Sequence, residues 1–327
     1  MNISLLRRIF GAPVIMFHGL YEQLPEYAVF QDERTCMLAV KDFQRLIDWI
    51  TEHFQVIRLE DLNKHLASGD GKRPPVVLTF DDGLASVMDL ALPILQEYRI
   101  SAVLFVTTDW VDSGRTPDIF LLEKAIWERL PANLVILIDG RRLELQINSR
   151  QEVSKAFTRL WDFLFEVRFP PLKLNAEDIY INGKKWERQK SEDRYFWFPA
   201  SWEEIHTAVQ AGLIEIGSHM VSHTPLTWLS DEEKLLQLKY SRDQLSDVIG
   251  SPVTACSYPH GYIDKKTISM SERIYKWGFT NRPGCVRNIT NRNAAPRYHV
   301  PGEAPEHIIE TLRLGRTISR IKRVIFS

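Results

Sequence analysis

The chain has 327 residues, a formal net charge of -1 and a pI near 6.8. That balance supplies no field to attract nucleic acid, and no apolar run reaches the length of a membrane span. Three scattered cysteines, Cys36, Cys256 and Cys285, exclude a disulfide framework and a CxxC metal site.

Strands are predicted at Val14–Phe17, Gln55–Arg58, Val76–Phe80, Ala102–Val106, Ile214–Ile216, Thr254–Tyr258 and near Phe279, with helices between them. The first strand runs into His18 and Gly19, so the start of the chain reads as barrel strand rather than cleaved leader. A cytoplasmic location is the expectation that follows. Phe43, Leu46, Ile47 and Ile50 recur at helical spacing, as do Leu235, Leu238, Leu245 and Ile249. Ser201 with Glu204, and Ser230 with Glu233, match capping boxes. Cys256 reads as a small buried residue. Strand–helix alternation over this length predicts an α/β barrel as one domain spanning 1–327.

The stretch from Val111 to Phe198 breaks the alternation. Leu134–Ile138 and Leu143–Ile147 flank Asp139-Gly140, a hairpin signal, and Ile119–Leu130 and Val153–Val167 carry helical patterns. This is expected to be an inserted α+β segment (111–198) standing over the face that carries the chemistry. The end of the chain, 304–327, reads as a basic amphipathic tail. Arg313, Arg316, Arg320, Lys322 and Arg323 alternate with Leu312, Leu314, Ile318, Ile321, Val324 and Ile325. Two readings of the tail stand: peripheral contact with an anionic membrane surface at its inner face, or a terminal helix packed on the barrel.

Chemistry is concentrated in two segments. Val76–Gly83, VVLTFDDG, is an apolar run ending in two adjacent carboxylates, Asp81 and Asp82. At a strand's end both can enter one pocket, one holding a metal ion and the other taking a proton from water. The plain alternative is a strand entering an Asx-Gly turn. Glu215–Leu226, EIGSHMVSHTPL, places His219 and His223 four apart, which on a helical turn points both rings the same way. The alternative there is a pair of capping or core histidines. Each segment follows a predicted strand, and two His with one carboxylate leave metal positions open for water and substrate.

With these two segments and SYPHG (Ser257–Gly261), the chain resembles the polysaccharide deacetylase family, the NodB-homology group of metal-dependent carbohydrate N-deacetylases. The resemblance runs from about Val14 to His299 apart from the interrupted stretch. It implies an incomplete (β/α)7 barrel, with Asp81 as general base and Asp82, His219 and His223 as ligands of one divalent ion, zinc ahead of cobalt, nickel or manganese. Met220 stands where the family usually has Ser or Thr. SYPHG is similar to a branch reading FAYPYG, with His260 in the aromatic position and its backbone N–H on the oxyanion. In that branch the acid histidine comes first in the chain, which implies His18; its plain alternative is a strand-end His bonded to backbone, and His299 competes for the role. Arg297 resembles an Arg paired with the base, with an ordinary surface charge as its alternative.

The implied activity is removal of the N-acetyl group from an acetamido sugar in surface polysaccharide or glycolipid biosynthesis, the substrate being a sugar, an oligosaccharide or a lipid- or nucleotide-linked sugar. Trp186, Tyr195, Phe196, Trp197 and Phe198 either stack on sugar rings or fill the insertion's own core. Two rival functions remain at this point: hydrolysis of a non-sugar C–N bond on the same scaffold, and non-catalytic glycan binding.

Overall fold

The computed structural model describes residues 11–30, 37–68, 73–170, 174–188, 194, 196–300 and 307–312. Cys36, Tyr195 and the basic tail from Arg313 onward lie outside the described residues, as therefore does the expected membrane contact. Ile308 and Leu312, just before that boundary, are buried against the main core.

The main sheet is built from β1 (Ala12–Phe17), β5 (Pro75–Phe80), β6 (Ala102–Val106), β11 (Ile214–Ser218), β12 (Ala255–Ser257) and β13 (Trp277–Phe279), all parallel and hydrogen-bonded in that order. Two-residue β15 (Tyr298–His299) pairs parallel with β1, and just before it Ala295 bridges Phe279 of β13. One short segment thus spans from the last strand back to the first. The result is a curled, incomplete seven-stave barrel, as the resemblance implied. Outside the staves, β4 (Gln55–Val56) pairs parallel with the start of β5, and β14 (Cys285–Val286) runs antiparallel to β1. Two strands are shorter than predicted: the run from Gln55 ends at Val56, and Thr254 and Tyr258 flank β12 rather than belonging to it.

Side chains alternate across each stave. Val14, Val77, Val103, Phe105, Ala255, Trp277 and Phe279 form the barrel's inner plug, joined by Leu62 and Leu66 of a short helix, α2 (Leu62–Ser68). Their neighbours Ile15, Leu78, Leu104 and Cys256 face the outer core under the helices. Helix α1 (Val40–His53) buries Phe43, Leu46, Ile47 and Ile50, the predicted stripe. The predicted capping boxes are both formed, at the starts of α7 (Trp202–Gln210) and α8 (Asp231–Ile249). On α8 the buried line is Lys234, Leu238, Ser241 and Leu245, whereas Leu235 is exposed. The Leu235 expectation fails because the short polar Ser241 and the Lys234 stem lie on the inner face, which an apolar pattern misses.

Between β6 and β11 the chain forms α5 (Asp118–Trp127) and α6 (Arg150–Glu166). It also forms an antiparallel four-stranded sheet containing the predicted hairpin, β7 (Ala132–Ile138) and β8 (Arg141–Ile147), with β9 (Ile179–Ile181) and β10 (Lys184–Lys185) beyond β7. Among the described residues, no helix is long and apolar enough to cross a membrane.

Candidate active site

The ends of the barrel's parallel strands deliver His18, Asp81, Asp82, His219, His223 and His260 to one end, and Arg297, just before β15, reaches the same site. Asp81 follows β5 and is held by its N–H to the Phe17 carbonyl. Asp82 and Gly83 then turn sharply, both at positive φ (77° and 82°), a conformation that glycine adopts freely and aspartate tolerates. A Cβ on Gly83 would lie 3.2 Å from Val106, so the turn also needs the missing side chain. His219 leaves β11 with its N–H on the Val106 carbonyl. Here the structure corrects the expected helical turn: His219–Thr224 is a loop, and Met220 and His223 both sit at positive φ. Two left-handed residues fold the loop back and bring the imidazoles to 4.8 Å centroid separation. The convergence was expected; its cause is a different backbone.

Asp82 Oδ1 lies 3.4 Å from His219 Nε2 and 3.2 Å from His223 Nε2, and all three residues are nine-tenths buried or more. His219 Nδ1 is 2.9 Å from the Ser257 carbonyl. A carbonyl only accepts, so Nδ1 carries the hydrogen and Nε2 is the nitrogen left to face the carboxylate. In the neutral ring an acceptor then faces an acceptor, which is repulsive at this distance unless a proton or a metal ion lies between them. Asp82 Oδ1 is buried without a hydrogen-bond partner, as are His223 Nδ1, His18 Nδ1, His260 Nε2 and His299 Nε2. Orphaned buried polar atoms are rare in folded proteins, and these line one cavity. The donor set, one carboxylate and two imidazoles converging from two loops, fits a divalent ion with open positions.

Electrostatics agree. Burial works against the Asp82 charge, yet the His219 and His223 imidazoles beside it hold its carboxyl well below the usual range. Burial pulls His219 down, but Asp81 and Asp82 outweigh it and the net shift is upward. The pocket therefore demands positive charge at that point. His223 is shifted down, chiefly by burial, and its ring stacks on Trp110 at 5.2 Å.

Asp81 is bound differently. Arg297, only 1% exposed, reaches it through Nη1–Oδ1 and Nη2–Oδ2 contacts of 2.7 Å each. The remaining guanidinium hydrogens go to Thr79 Oγ1, Ser257 Oγ and the Thr280 carbonyl, and its plane lies over Phe105 and Phe279 of the inner plug. Ser257 Oγ also donates to Asp81 Oδ2 at 2.9 Å. Burial raises the Asp81 pKa, but Arg297 more than offsets this and leaves it at about 2. The expected pairing of Arg297 with Asp81 is present, and the surface-charge alternative is excluded.

His18 and His299 stand at the ends of adjacent strands with ring centroids 5.4 Å apart, and both line the cavity. Burial, with His18 and Arg297 adding to it, pushes His299 down to about 3. His260, at φ 57°, has its carbonyl tied by Asn281 Nδ2. Its ring is 4.7 Å from that of His223, and burial first, then the neighbouring histidines, hold it neutral.

The cavity measures about 580 Å³ and is also lined by Phe120, Trp161, Asp162, Phe165, Trp197 and Tyr262, a volume suited to a small ligand. Of the aromatics predicted from the interrupted stretch, Trp197 reaches the cavity, while Trp186 and Phe196 are buried in the core. Sequence reasoning missed Ser257 and Thr79 as partners of the Arg297–Asp81 pair. It also missed Trp161, Asp162 and Phe165, which carry no motif; their i and i+4 spacing on a predicted helix was the one available signal.

The model of the polysaccharide deacetylase family matches residues 68–132 and 177–276, just over half of the chain. The chain belongs to the polysaccharide deacetylase family. Among solved structures it is similar to the Streptococcus pyogenes deacetylase PplD in complex with acetate, at 17% identity and a TM-score of 0.61, over 92% of this chain and 97% of that one. It is also similar to IcaB from Ammonifex degensii, at 17% identity and a TM-score of 0.55, covering 91% and 95%. A de-N-acetylase from Aggregatibacter actinomycetemcomitans aligns at 14% identity and 0.52, covering 88% and 93%. No curated protein sequence matches the chain.

Proposed function

We propose that the chain is a metal-dependent de-N-acetylase acting on an acetamido sugar within a surface glycan. The observation that carries this reading is the juxtaposition in one cavity of two differently wired carboxylates. Asp82 lies among imidazoles with an unpaired oxygen, and Asp81 is clamped by Arg297. Asp82, His219 and His223 would hold the ion, which when bound supplies Lewis acidity toward an amide carbonyl and lowers the pKa of a water toward 7.

The remaining roles fall to the protein. Asp81 accepts a proton from the attacking water. Its affinity for that proton is low because of Arg297, and the same pair keeps it ionised and fixed in one rotamer. Asp81 Oδ1 keeps a lone pair beyond its bond to the guanidinium, whereas Oδ2 also accepts from Ser257 Oγ. The His260 N–H stabilises charge developing on the carbonyl oxygen. His18 protonates the departing amine; the depressed pKa of His299 supports His18 over its neighbour.

Among the described residues lining the cavity, Arg297 is the only Lys or Arg, and Asp81 already engages it. That supports a neutral glycan segment as the occupant, with any phosphate carrier outside. The test is acetate release from free, lipid-linked and nucleotide-linked N-acetyl sugars, with and without chelator. Release from a glycan, lost with chelator and restored by zinc, is expected. No release from any member by metal-loaded protein overturns the reading.

A further inference from the structure

The catalytic residues stand on barrel loops, but part of the cavity wall comes from elsewhere. Trp161, Asp162 and Phe165 lie on α6, inside the internal stretch (133–176) that the family model leaves unmatched. The helix is firmly based: Val153, Phe157, Leu160 and Leu164 are buried, and Trp161 packs on Phe30. Its other side meets the site. The Phe165 ring is 5.0 Å from His260 and 5.0 Å from Trp228, both edge-on, and Trp161 is 6.1 Å from His260. Phe165 is only half-buried and Asp162 is exposed, both at the cavity. A second aromatic wall, Trp197 stacked on Phe120, lies near His18.

We propose that the α6 face formed by Trp161, Asp162 and Phe165 is the subsite that selects the sugar, by covering the apolar face of a pyranose ring and accepting its hydroxyl hydrogens. This rests on the de-N-acetylase reading and adds the element that sets its substrate range. Aromatic rings offer a broad apolar surface at low entropic cost. A carboxylate accepts hydroxyl hydrogens in charge-assisted bonds. Both groups sit on a helix anchored by core packing, so the subsite is preorganised. The wall meets the proposed machinery only at the His260 ring, whose backbone N–H rather than its imidazole carries the oxyanion role, so its part is to position substrate.

The experiment compares the full, zinc-loaded chain with Phe165→Ala, Asp162→Asn and the conservative Trp161→Phe. The probes are β-1,4- and β-1,6-linked N-acetylglucosamine tetramers and a small aryl acetate ester. Acetate release is measured with both probe types, and tetramer binding is measured by calorimetry. Phe165→Ala is expected to weaken tetramer binding and raise its KM roughly tenfold, a loss of about 1.4 kcal/mol. Asp162→Asn should have a smaller effect in the same direction, and Trp161→Phe should stay near wild type. Ester hydrolysis, which leaves the subsite unfilled, should fall much less than tetramer turnover in each variant. Wild-type turnover of the tetramer with equal KM and binding in Phe165→Ala overturns the subsite, as does loss of ester and tetramer activity in parallel. If the wild type binds but does not cleave the tetramer, acetate release across the wider sugar panel decides the de-N-acetylase reading, and the binding comparison still decides the subsite.

Discussion

Arg297 and Asp81 meet through two parallel contacts of 2.7 Å inside the barrel, and neither side chain sees appreciable solvent. The sheet topology makes this possible. Arg297 precedes β15, in the short segment that bridges β13 at Ala295 and then pairs with β1. The residues that close the barrel therefore also place a cation beneath the carboxylate. Thr79 on β5 and Asp81 just past its end lie two apart and both reach the guanidinium, and Thr79 Oγ1 and Ser257 Oγ complete the shell.

Removing that cation should reverse the pH response of Asp81. With Arg297 present its folded pKa is about 2, below the ordinary value of 3.8. The pair thus contributes stability above about pH 3.8 that is lost as pH falls through 2. In Arg297→Met burial is opposed only by the His219 and His18 imidazoles and the Ser257 hydroxyl, so the carboxyl pKa is expected to rise above 3.8 and ionisation to oppose folding instead. The variant is expected to lose about 3–5 kcal/mol near neutral pH, the usual cost of leaving one partner of a buried pair uncompensated. It should also recover part of that loss in acid. Thermal melts of both proteins from pH 3 to 8 check this; parallel curves would remove the pair from its assigned role.

The metal assignment makes a separable claim. His219→Ala and His223→Ala should each abolish stoichiometric zinc, read by elemental analysis, while far-UV circular dichroism stays that of the wild type. Ser257→Ala leaves the Ser257 carbonyl on His219 Nδ1 untouched and removes only the hydroxyl to Asp81 and Arg297. It should keep its zinc and lose activity. Full zinc occupancy in either histidine variant refutes the ligand set.

Much of the site was legible because the chemistry sits at strand ends. VVLTFDDG and EIGSHMVSH each contain a strand's apolar run and its terminal charges together, so alternation and position point to the same face. What stayed hidden depended on contacts distant in sequence. Ser257 is an ordinary small residue until β12 carries it beside Asp81, 176 positions earlier. The HxxxH spacing was compatible with a helix, and only the left-handed backbone at Met220 and His223 reveals the loop. Trp161 and Phe165 fall within the helical pattern of Val153–Val167, as the buried Leu160 and Leu164 beside them do. Periodicity gives a helix its buried stripe but not which margin of that stripe borders a cavity.

Glu123, on α5 and outside the motifs, offers a test of stability. Its Oε1 accepts the Val29 and Phe30 N–H groups at 2.9 and 2.6 Å, and Oε2 has no hydrogen-bond partner. Burial pushes its pKa up to about 8 from 4.5, although the two backbone bonds oppose the shift. A raised folded pKa means stability that is fully present below 4.5 and declines as pH rises toward 8, by up to roughly 1.4 kcal/mol per pH unit. Glu123→Gln keeps the Oε1 acceptor and cannot ionise. The melting temperature of the variant relative to wild type should therefore climb between pH 5 and 8. A constant difference would show that Glu123 does not titrate in this range.

The sharpest test separates His18 from His299. Both rings line the cavity, 5.4 Å apart, so proximity alone does not choose between them. Protonation does. A general acid must carry its proton at working pH, and His299, held near 3 by burial and by His18 and Arg297, does not. His18→Ala should retain zinc and folding and lower the rate roughly 100- to 10,000-fold, the usual range for a positioned acid. The loss should shrink for an acetate ester whose leaving group departs without protonation. His299→Ala removes a neutral ring behind His18, so its effect should be mainly on local packing. Rates for both variants on the amide and the ester, measured at matched zinc content, decide the matter. A large amide-specific loss in His299→Ala with near wild-type turnover in His18→Ala would exchange the two roles.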